Sequence, residues 1–321
     1  MVVVTGGAGF IGSSFVKKLN DNNINDIIIV DRLGTEQKWK NLVGKRFSTI
    51  IPIGDFRDQI LKGFYGRSIV SIVHMGACST TTERNADFLF DNNVEYSKVL
   101  ANYAFENGCK FIYASSAATY GLGEEGYKDD FNQNLKPLNM YGFSKHLFDC
   151  WIHTNQLESK VIGLKYFNVF GPNEYHKNEM ASMVYKAYMQ IQQRGFVELF
   201  ESNTPEYANG EQVRDFIYIK DVVNTMWDLY TSQNVKGIYN LGTGIARSWN
   251  DLMKSVFQAM GKKVDIRYVP MPDHLKLQYQ NFTQASMESL RSNDIYTKPT
   301  SLEDAVEDYV QQYLQKLWQY I

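Results

Sequence analysis

The first half of the chain alternates short apolar runs with longer stretches in which apolar residues recur at helical spacing. Between the first two runs, for example, Ile11, Phe15 and Leu19 fall on one face of a helix. Strands that alternate with helices indicate a parallel sheet covered on both faces. The pattern predicts strands at Val2–Val4, Ile27–Val30, Ile50–Ile53, Ile69–His74, Phe111–Ala114 and Val161–Phe167.

The pattern becomes irregular after Phe167, and turn-forming residues cluster at 171–173 and 203–210. We therefore predict an α/β fold, with a Rossmann-like doubly wound parallel sheet and a smaller α/β lobe that forms the second wall of a cleft. The larger domain is predicted to comprise residues 1–167 with returning segments at about 215–244 and 280–300. The lobe is predicted to comprise 168–214, 245–279 and 301–321.

Length and composition narrow the class of protein. The 321 residues exceed what one compact core usually needs, and the net charge of -2 gives no bulk signal for nucleic acid or an anionic membrane. No apolar run approaches the roughly 18 residues of a membrane span, and no basic segment precedes the first strand as in a signal peptide. Cys78, Cys109 and Cys150 fit neither a disulfide framework nor a zinc site. We expect a cytoplasmic protein without a metal.

Three glycines follow the first strand and open the first helix. Gly6, Gly9 and Gly12 allow, in turn, a tight turn, close approach of the backbone to a pyrophosphate, and packing of the helix on the sheet. Asp31 ends the second strand 19 residues after Gly12, near the spacing of about 20 in the dinucleotide fingerprint. The larger domain is therefore predicted to bind a dinucleotide.

The residues around Asp31 bear on which dinucleotide is bound. Asp31 would accept hydrogen bonds from the adenosine ribose, which by itself favours NAD. Arg32 and Lys38 follow it, and they could hold the additional 2′-phosphate of NADP through charge-assisted hydrogen bonds. The alternative is that both are solvated surface charges. We favour NADP, with NAD possible.

Tyr141 and Lys145 lie four residues apart, on one face of a predicted helix. A free tyrosine has a pKa near 10, and a neighbouring ammonium, helped by the positive charge of the nicotinamide, is expected to lower the pKa of Tyr141. Such pairs also arise by chance, so position matters: Ser115 and Ser116 follow the strand Phe111–Ala114 at the expected cleft. Ser116 is predicted to hydrogen-bond the reacting oxygen, the alternative being a helix cap or turn.

Together these motifs resemble the extended short-chain dehydrogenase/reductase superfamily. Segments 165–172, 214–222 and 239–244 resemble its sugar-nucleotide branch. Segments 74–83, 91–93, 113–121, 176–177, 180–182 and 279–285 are similar to the heptose 6-epimerase family, and the resemblance runs from Val2 to about Tyr309. It implies C6 epimerisation of ADP-glycero-manno-heptose by transient oxidation and re-reduction with bound NADP, for the lipopolysaccharide core of a Gram-negative bacterium. A homo-oligomer, with a pentamer as one form, is also implied.

The resemblance further implies residue roles, with Lys177 as a second acid/base opposite Tyr141. Three positions depart from the family pattern: Ile53 replaces a lysine that can contact the cofactor, Glu179 a small polar residue, and Lys186 a histidine. The implied cofactor contacts are Gly6, Gly9, Phe10, Ile11, Gly12, Asp31, Arg32, Lys38, Met75, Gly76, Ala77, Cys78, Ser79, Asn92, Lys145 and Val169. The implied substrate contacts are Ser116, Asn168, Glu179, Lys186, Phe200, Glu201, Ser202, Asn203, Arg214 and Tyr279.

Two other functions remain open from the residues. A 4-epimerase of another sugar nucleotide would use the same catalytic group, whereas a 4,6-dehydratase would carry an Asp-Glu pair where Ala117 and Ala118 stand. A non-catalytic NADP-sensing regulator could share the fold, because fold alone does not decide function. Such a regulator would not need the intact pair of Tyr141 and Lys145.

Overall fold

Strands and helices alternate through most of the chain in the computed structural model, which describes residues 1–132, 134–276, 279–295, 298–316 and 318–321. The strands are β1 (Val2–Thr5), β2 (Ile27–Val30), β3 (Thr49–Ile51), β4 (Ser71–His74), β5 (Lys110–Ser116), β6 (Val161–Tyr166), β7 (Asn168–Phe170), β8 (Val197–Phe200), β9 (Val213–Tyr218), β10 (Gly237–Leu241), β11 (Ala246–Ser248) and β12 (Ile266–Val269).

The helices comprise α-helices and shorter turns of other helical types. The α-helices are α1 (Phe10–Asp21), α2 (Ile53–Leu61), α3 (Ala86–Leu89), α4 (Tyr96–Asn107), α5 (Met140–Thr154), α6 (Met183–Arg194), α7 (Ile219–Thr231), α8 (Trp249–Ala259), α9 (Asp273–Lys276), α10 (Glu288–Ser292) and α11 (Leu302–Tyr309). Short 3₁₀ turns lie at Gln37–Leu42, Ala117–Tyr120, Glu158–Lys160 and Tyr175–Met180, and π-helical turns at Phe90–Glu95 and Val310–Leu314.

Seven parallel strands form the main sheet in the order β10-β6-β5-β4-β1-β2-β3. The strand order reverses between β1 and β4, and ligands of open α/β sheets bind beyond the carboxyl ends of the strands at such a point. This architecture confirms the predicted α/β doubly wound sheet. The predicted strand Ile50–Ile53 ends earlier, at Ile51, because Pro52 has no backbone N–H for the ladder and precedes α2.

The main sheet is buried on both faces, which explains why its strands are continuous apolar runs. All residues of β1 are buried, and successive side chains point to opposite sides. Val2 and Val4 join one hydrophobic cluster with Phe15 and Leu19 of α1. Val3 joins a second cluster with Phe111 on the other face. The helical spacing seen in the sequence therefore places α1 on the first of these faces.

The smaller sheets contain β11-β9-β7 and β12-β8. The first large hydrophobic cluster runs without a break from β1 into this part of the chain, as far as Leu314. The division into a larger domain and a substrate lobe, with the boundaries given above, therefore stays a prediction. Among the described residues, no helix has both the length and the apolar character needed to cross a membrane.

Candidate functional site

A cleft of about 690 Å³ opens at the carboxyl ends of the parallel strands, between the main sheet and the segment that precedes α6. All the residues predicted to contact the cofactor line this cleft, as do the four predicted catalytic residues Ser116, Tyr141, Lys145 and Lys177. Residues scattered over more than half of the sequence thus converge on one cavity. The placement agrees with the proposed roles but does not itself assign them.

Glycine is required at two positions of the first turn. Gly6 has φ +64°, and a Cβ there would lie 2.7 Å from the amide nitrogen of Gly76. At Gly12 a Cβ would lie 2.2 Å from the carbonyl oxygen of Gly6. Helix α1 then begins after Gly9 with no side chain capping its first N–H groups. These free donors and the positive end of the helix dipole fit a dinucleotide pyrophosphate.

Asp31 is anchored at the edge of the same turn and is 5% exposed. Its carboxylate accepts hydrogen bonds from the backbone N–H groups of Ala8 at 2.8 Å and Arg32 at 2.7 Å. It also pairs with the ammonium of Lys38 at 2.5 Å. The lysine therefore offsets the negative charge that would otherwise repel a phosphate on the adenosine ribose.

The first wall of the cleft is the beginning of α5. The Asn139 side chain accepts a hydrogen bond from the Gly142 N–H at 2.8 Å, which caps the helix and fixes the turn that presents Tyr141. Ser116, at the end of β5, accepts from the Ala118 N–H at 3.1 Å and also hydrogen-bonds Tyr141. The capping interpretation of Ser116 is therefore confirmed, while its hydrogen bond to the reacting oxygen stays a prediction.

The pKa shifts of Tyr141 and Lys145 on this wall are dominated by burial. Burial raises the pKa of Tyr141, and the hydrogen bond from Ser116 only partly opposes the rise. The net shift is opposite to the lowering expected from Lys145, whose ammonium donates to the carbonyl of Ala114 at 2.9 Å; the part expected from the nicotinamide's charge stays a prediction. Burial also lowers the pKa of Lys145 to about 8, against the opposing charge of Asp149. Desolvation dominates both residues.

A buried polar network lies behind the first wall. Asp149 of α5 pairs with Lys165 of β6 at 2.9 Å and accepts hydrogen bonds from Tyr113 at 2.8 Å and Ser115 at 2.7 Å. Lys165 also donates to Thr119 at 2.9 Å. The network binds α5 to the two strands beneath it, and it gives Ser115 a structural role one residue away from Ser116.

Asn93 is a residue that the sequence argument missed. It is 1% exposed, accepts from the Cys78 N–H at 2.9 Å and donates to the Ser144 hydroxyl at 2.9 Å. Asn93 therefore links the segment 75–79, which contains predicted cofactor contacts, to α5. Asn92, the residue selected from sequence, lines the cleft beside it. A π-helical turn contains both asparagines, and such turns are frequent at functional sites.

The second wall is the turn Tyr175–Met180. Lys177 is half-buried, with its ammonium 5.4 Å from the centroid of the Phe10 ring. Burial lowers the pKa of Lys177, while the nearby Glu174 carboxylate opposes that change. His176 also lines the cleft, and burial lowers its pKa to about 4. It was absent from the predicted contacts although the motif around it had been noted.

Only two of the predicted substrate contacts, Ser116 and Asn168, line the cleft. Lys186 donates to the carbonyl of Glu179 at 2.5 Å, so these two residues pair with each other outside the cleft lining. The segment 200–203, which contains Phe200, Glu201, Ser202 and Asn203, also lies outside the lining. Its Asn203 amide donates to the Lys276 carbonyl at 3.0 Å. The structure thus separates these residues from the catalytic group.

Arg214 and Tyr279 stand beside the cleft rather than in its lining. The Arg214 guanidinium lies 5.2 Å from the Tyr279 ring centroid and 5.4 Å from that of Trp249. Trp249, at the start of α8, lines the cleft and was missed by the sequence argument. Arg214 is 7% exposed and lies in none of the ion pairs among the described residues. A buried, unpaired guanidinium of this kind suits a phosphate.

The fold and the site together define a class of enzyme. The chain belongs to the NAD dependent epimerase/dehydratase family, whose family model matches residues 2–242. This confirms the resemblance drawn from the glycine turn and the Tyr141/Lys145 pair. It is therefore an epimerase-class enzyme that uses a nicotinamide dinucleotide.

The relatives narrow the class. The chain is 51% identical over 316 residues to an ADP-L-glycero-D-manno-heptose-6-epimerase from Nitratidesulfovibrio vulgaris, covering 98% of both chains. A protein of the same name from Fusobacterium nucleatum is 46% identical, again with 98% of both chains covered. The crystal structure of the Helicobacter pylori heptose epimerase superimposes with a TM-score of 0.79 at 30% identity, covering 97% of this chain and 95% of that one.

Proposed function

We propose that this enzyme converts ADP-D-glycero-manno-heptose to ADP-L-glycero-manno-heptose by inverting C6. The observation that carries the proposal is that Tyr141 and Lys177 line one cleft from two different walls, α5 and the turn Tyr175–Met180. The relatives named for this reaction, which match nearly the whole chain, support the choice of substrate.

Two proton carriers suit an inversion that proceeds through an aldehyde. One residue removes the C6 hydroxyl proton as the carbon is oxidised, and the other delivers a proton after the aldehyde has turned its opposite face. A bound nicotinamide would supply the hydride transfer at C6. Ser116 hydrogen-bonds the reacting oxygen, and Lys145 holds the nicotinamide ribose. Tyr141 and Lys177 each work from their own wall, and the net reaction is redox-neutral.

The nucleotide end of the substrate would lie toward Arg214. Its guanidinium is positioned between two aromatic rings and can bind a diphosphate through charge-assisted hydrogen bonds. Asn168, in the cleft lining, would contact the sugar. The remaining proposed contacts, Glu179, Lys186, 200–203 and Tyr279, require that the substrate extend beyond the cleft toward the smaller sheets.

The proposal is tested with purified enzyme and two sugar nucleotides, ADP-D-glycero-manno-heptose and UDP-glucose. NMR should show inversion at C6 of the heptose and no 4-epimer of the glucose. Because the reaction is redox-neutral, no NADPH should accumulate in solution as turnover proceeds. Turnover of UDP-glucose alone would establish the 4-epimerase, and the absence of any turnover would favour a regulator.

We infer that the cofactor is NADP, held by Arg32 and Lys38 around Asp31. Lys38 already neutralises the Asp31 carboxylate, and Arg32 lines the cleft next to it. Arg32→Ala should weaken NADP binding by about 1.5–3 kcal/mol, the magnitude of a hydrogen bond to a charged group, and NAD binding much less. Calorimetric titration of both dinucleotides measures this. The exposed Arg67 provides the control, because Arg67→Ala should leave both affinities unchanged.

The proposal extends to the cellular setting. The three cysteines Cys78, Cys109 and Cys150 are free thiols, which suits the reducing cytoplasm. Supply of heptose for the lipopolysaccharide core of a Gram-negative bacterium, and a homo-oligomer such as a pentamer, rest on the resemblance to the heptose epimerases. Sedimentation equilibrium of the purified enzyme would measure the assembly.

A further inference from the structure

Glu174 is a fully buried carboxylate at the base of the second wall, with 0% exposure. Its two oxygens accept hydrogen bonds from the Ser182 hydroxyl at 2.7 Å, the Ser182 N–H at 2.6 Å and the Gly171 N–H at 3.2 Å. Gly171 and Ser182 are the two ends of the segment 171–182. One side chain therefore closes the loop that contains Lys177.

The same residue is coupled to Lys177 in two ways. The Lys177 N–H donates to the Glu174 carbonyl at 2.9 Å, which closes the turn. The Glu174 carboxylate also raises the pKa of Lys177 against the effect of burial, so its charge acts on the lysine. The Lys177 ammonium lies over the Phe10 ring and belongs to none of the ion pairs formed within the described part of the chain. It is free to exchange a proton with a ligand.

The charge of Glu174 needs an explanation beyond loop closure. Burying an ionised carboxylate is expensive, and a neutral amide could accept some of the same hydrogen bonds at a smaller desolvation penalty. A half-buried cation nearby changes this balance, because burial raises the pKa of Glu174 and a positive charge opposes that rise. Lys177 is that cation.

We propose that Glu174 is a positioning residue for the second wall, which fixes the segment 171–182 and balances the charge of the Lys177 ammonium in the cleft. The inference rests on the proposed acid/base role of Lys177. Without the carboxylate, the link between Gly171 and Ser182 would be lost, although Asn173 and Tyr175 would still hold the first part of the loop. Lys177 would lose its proton more readily.

Other charged and titratable groups lie around Glu174 and Lys177, and the test leaves them unchanged. Lys186 of α6 acts against Glu174 by lowering the pKa of Lys177. The tyrosines beside Glu174 have raised pKa values and stay neutral near pH 7; they are Tyr175, Tyr185 and Tyr309. On the other side stand His176 and the Asp31–Lys38 pair. Only the carboxylate of Glu174 raises the pKa of Lys177 among these.

The test compares Glu174→Gln, which removes the charge and keeps the shape, with Glu174→Asp, which keeps the charge and shortens the reach. The rate at which a neutral acylating reagent labels Lys177 follows the uncharged fraction of the amine, and mass spectrometry reads it across pH. The midpoint for Glu174→Gln should move to lower pH by about 1 unit, as expected for losing a nearby opposite charge. Glu174→Asp should move it much less.

A matched control is available in Asp215, another fully buried carboxylate. It accepts hydrogen bonds from the N–H groups of Thr243 at 2.7 Å, Gly244 at 2.9 Å and Ala285 at 3.0 Å, in a different part of the fold. Asp215→Asn should destabilise the protein without moving the labelling midpoint of Lys177. An equal movement in both variants would overturn the inference.

Epimerisation gives the second readout. Glu174→Gln should lower kcat about tenfold or more, but it should cause no further loss in a Lys177→Met background assayed on a C6 aldehyde analogue. If Glu174→Gln does not fold, Ser182→Ala weakens the same anchor and should show the same dependence on Lys177. An unmoved midpoint, or equal losses with and without Lys177, would overturn this inference. Wild-type epimerisation by Lys177→Met would instead overturn the proposed function.

Discussion

The two walls of the cleft hold their proposed acid/base residues by different means. Tyr141 stands in the first turn of α5, a helix of 15 residues that is capped by Asn139 and bound to the sheet through Asp149. Lys177 stands on a short turn that contains a non-glycine residue at positive φ, Asn178 at 47°. Besides the Glu174 carboxylate, the loop is held by Asn173, which donates to the Ser13 hydroxyl at 3.0 Å, and by Tyr175, which donates to the Gln319 carbonyl at 2.7 Å.

The difference shows that one cleft can position one residue on a regular helix and the other on an irregular turn. On the first wall many hydrogen bonds fix the same helix, so losing one of them leaves the others. On the second wall, single side chains hold separate points of a short irregular turn, so each contact fixes only its own part of the loop. Functional groups often lie on loops that a rigid scaffold positions, and here one of the pair lies on each kind of support.

The largest loss of activity is expected when the proposed proton carriers of the two walls, Tyr141 and Lys177, are themselves removed. Tyr141→Phe keeps the ring without the hydroxyl, and Lys177→Met keeps most of the stem without the amine. Each should lower epimerisation by about 100- to 10,000-fold, the usual contribution of a positioned acid or base. Chiral analysis of the product by NMR measures the loss. A wild-type rate in either variant would remove that residue from the mechanism.

A substrate analogue with an aldehyde at C6 separates the two walls. Two such aldehydes and water can give one alcohol and one acid, and this exchange can proceed with one proton carrier. At least one of the single variants should therefore retain part of it, whereas the double variant of Tyr141 and Lys177 should lose nearly all, as groups that share a site do. Substantial exchange by the double variant would point to a third carrier.

The next largest effect should come from the network beneath the first wall. Asp149→Asn leaves the buried Lys165 ammonium without its carboxylate, and breaking a buried pair in this way costs about 3–5 kcal/mol of unfolding free energy. Urea unfolding followed by circular dichroism measures it. The exposed pair of Arg194 and Glu198, 3.0 Å apart, is the control, because Glu198→Gln should cost less than about 1 kcal/mol. Similar losses of unfolding free energy in Asp149→Asn and Glu198→Gln would show that the buried network stabilises the fold no more than an exposed ion pair does.

The contrast between regular and irregular structure also explains which features could be predicted from the sequence. Strands of the main sheet are apolar runs and α1 has helical periodicity, so six of the seven strands and the glycine turn were predicted to within a few residues, whereas β10 was not predicted as a strand. The spacing of Tyr141 and Lys145 also follows from one helix. These features depend on residues close together in the sequence, which is why local patterns sufficed.

Contacts between distant residues were not predictable in the same way. The side-chain amide of Asn93 hydrogen-bonds both Cys78 and Ser144, and no residue spacing in the sequence predicts these contacts. The pKa of Tyr141 is raised, opposite to the lowering expected from Lys145, because burial is a property of the folded chain that residue spacing does not show. Trp249 reaches the cleft from a helix more than a hundred residues after Tyr141. The family resemblance supplied Lys177, which the pattern alone would leave as a loop lysine.

A smaller effect tests whether the second wall is strained. Asn178 has φ 47° and ψ -119°, a conformation that glycine adopts far more easily. Asn178→Gly should raise the free energy of unfolding by about 1–2 kcal/mol as this strain is relieved. Gln156, at φ 56° after α5, is the control outside the wall, and Gln156→Gly should stabilise without changing kcat. Asn178→Gly should instead lower kcat, because the turn that presents Lys177 becomes looser; an unchanged kcat would mean that the strain has no part in placing it.

The smallest effect concerns the cap of the first wall. Asn139→Ala removes the acceptor of the Gly142 N–H and should cost about 1 kcal/mol of stability, as N-cap losses typically do. Ser301 caps α11 away from the cleft in the same manner, accepting from the Asp304 N–H at 3.1 Å, so Ser301→Ala should cost a similar amount. Only the first variant loosens the turn that contains Tyr141, and thermal unfolding combined with kcat separates the two. Because Asp149 and Asn93 still hold α5, we expect kcat to fall only a few-fold in Asn139→Ala and not at all in Ser301→Ala. A loss as large as that of Tyr141→Phe would show that the cap alone positions the tyrosine, and that the contacts of Asp149 and Asn93 do not support it.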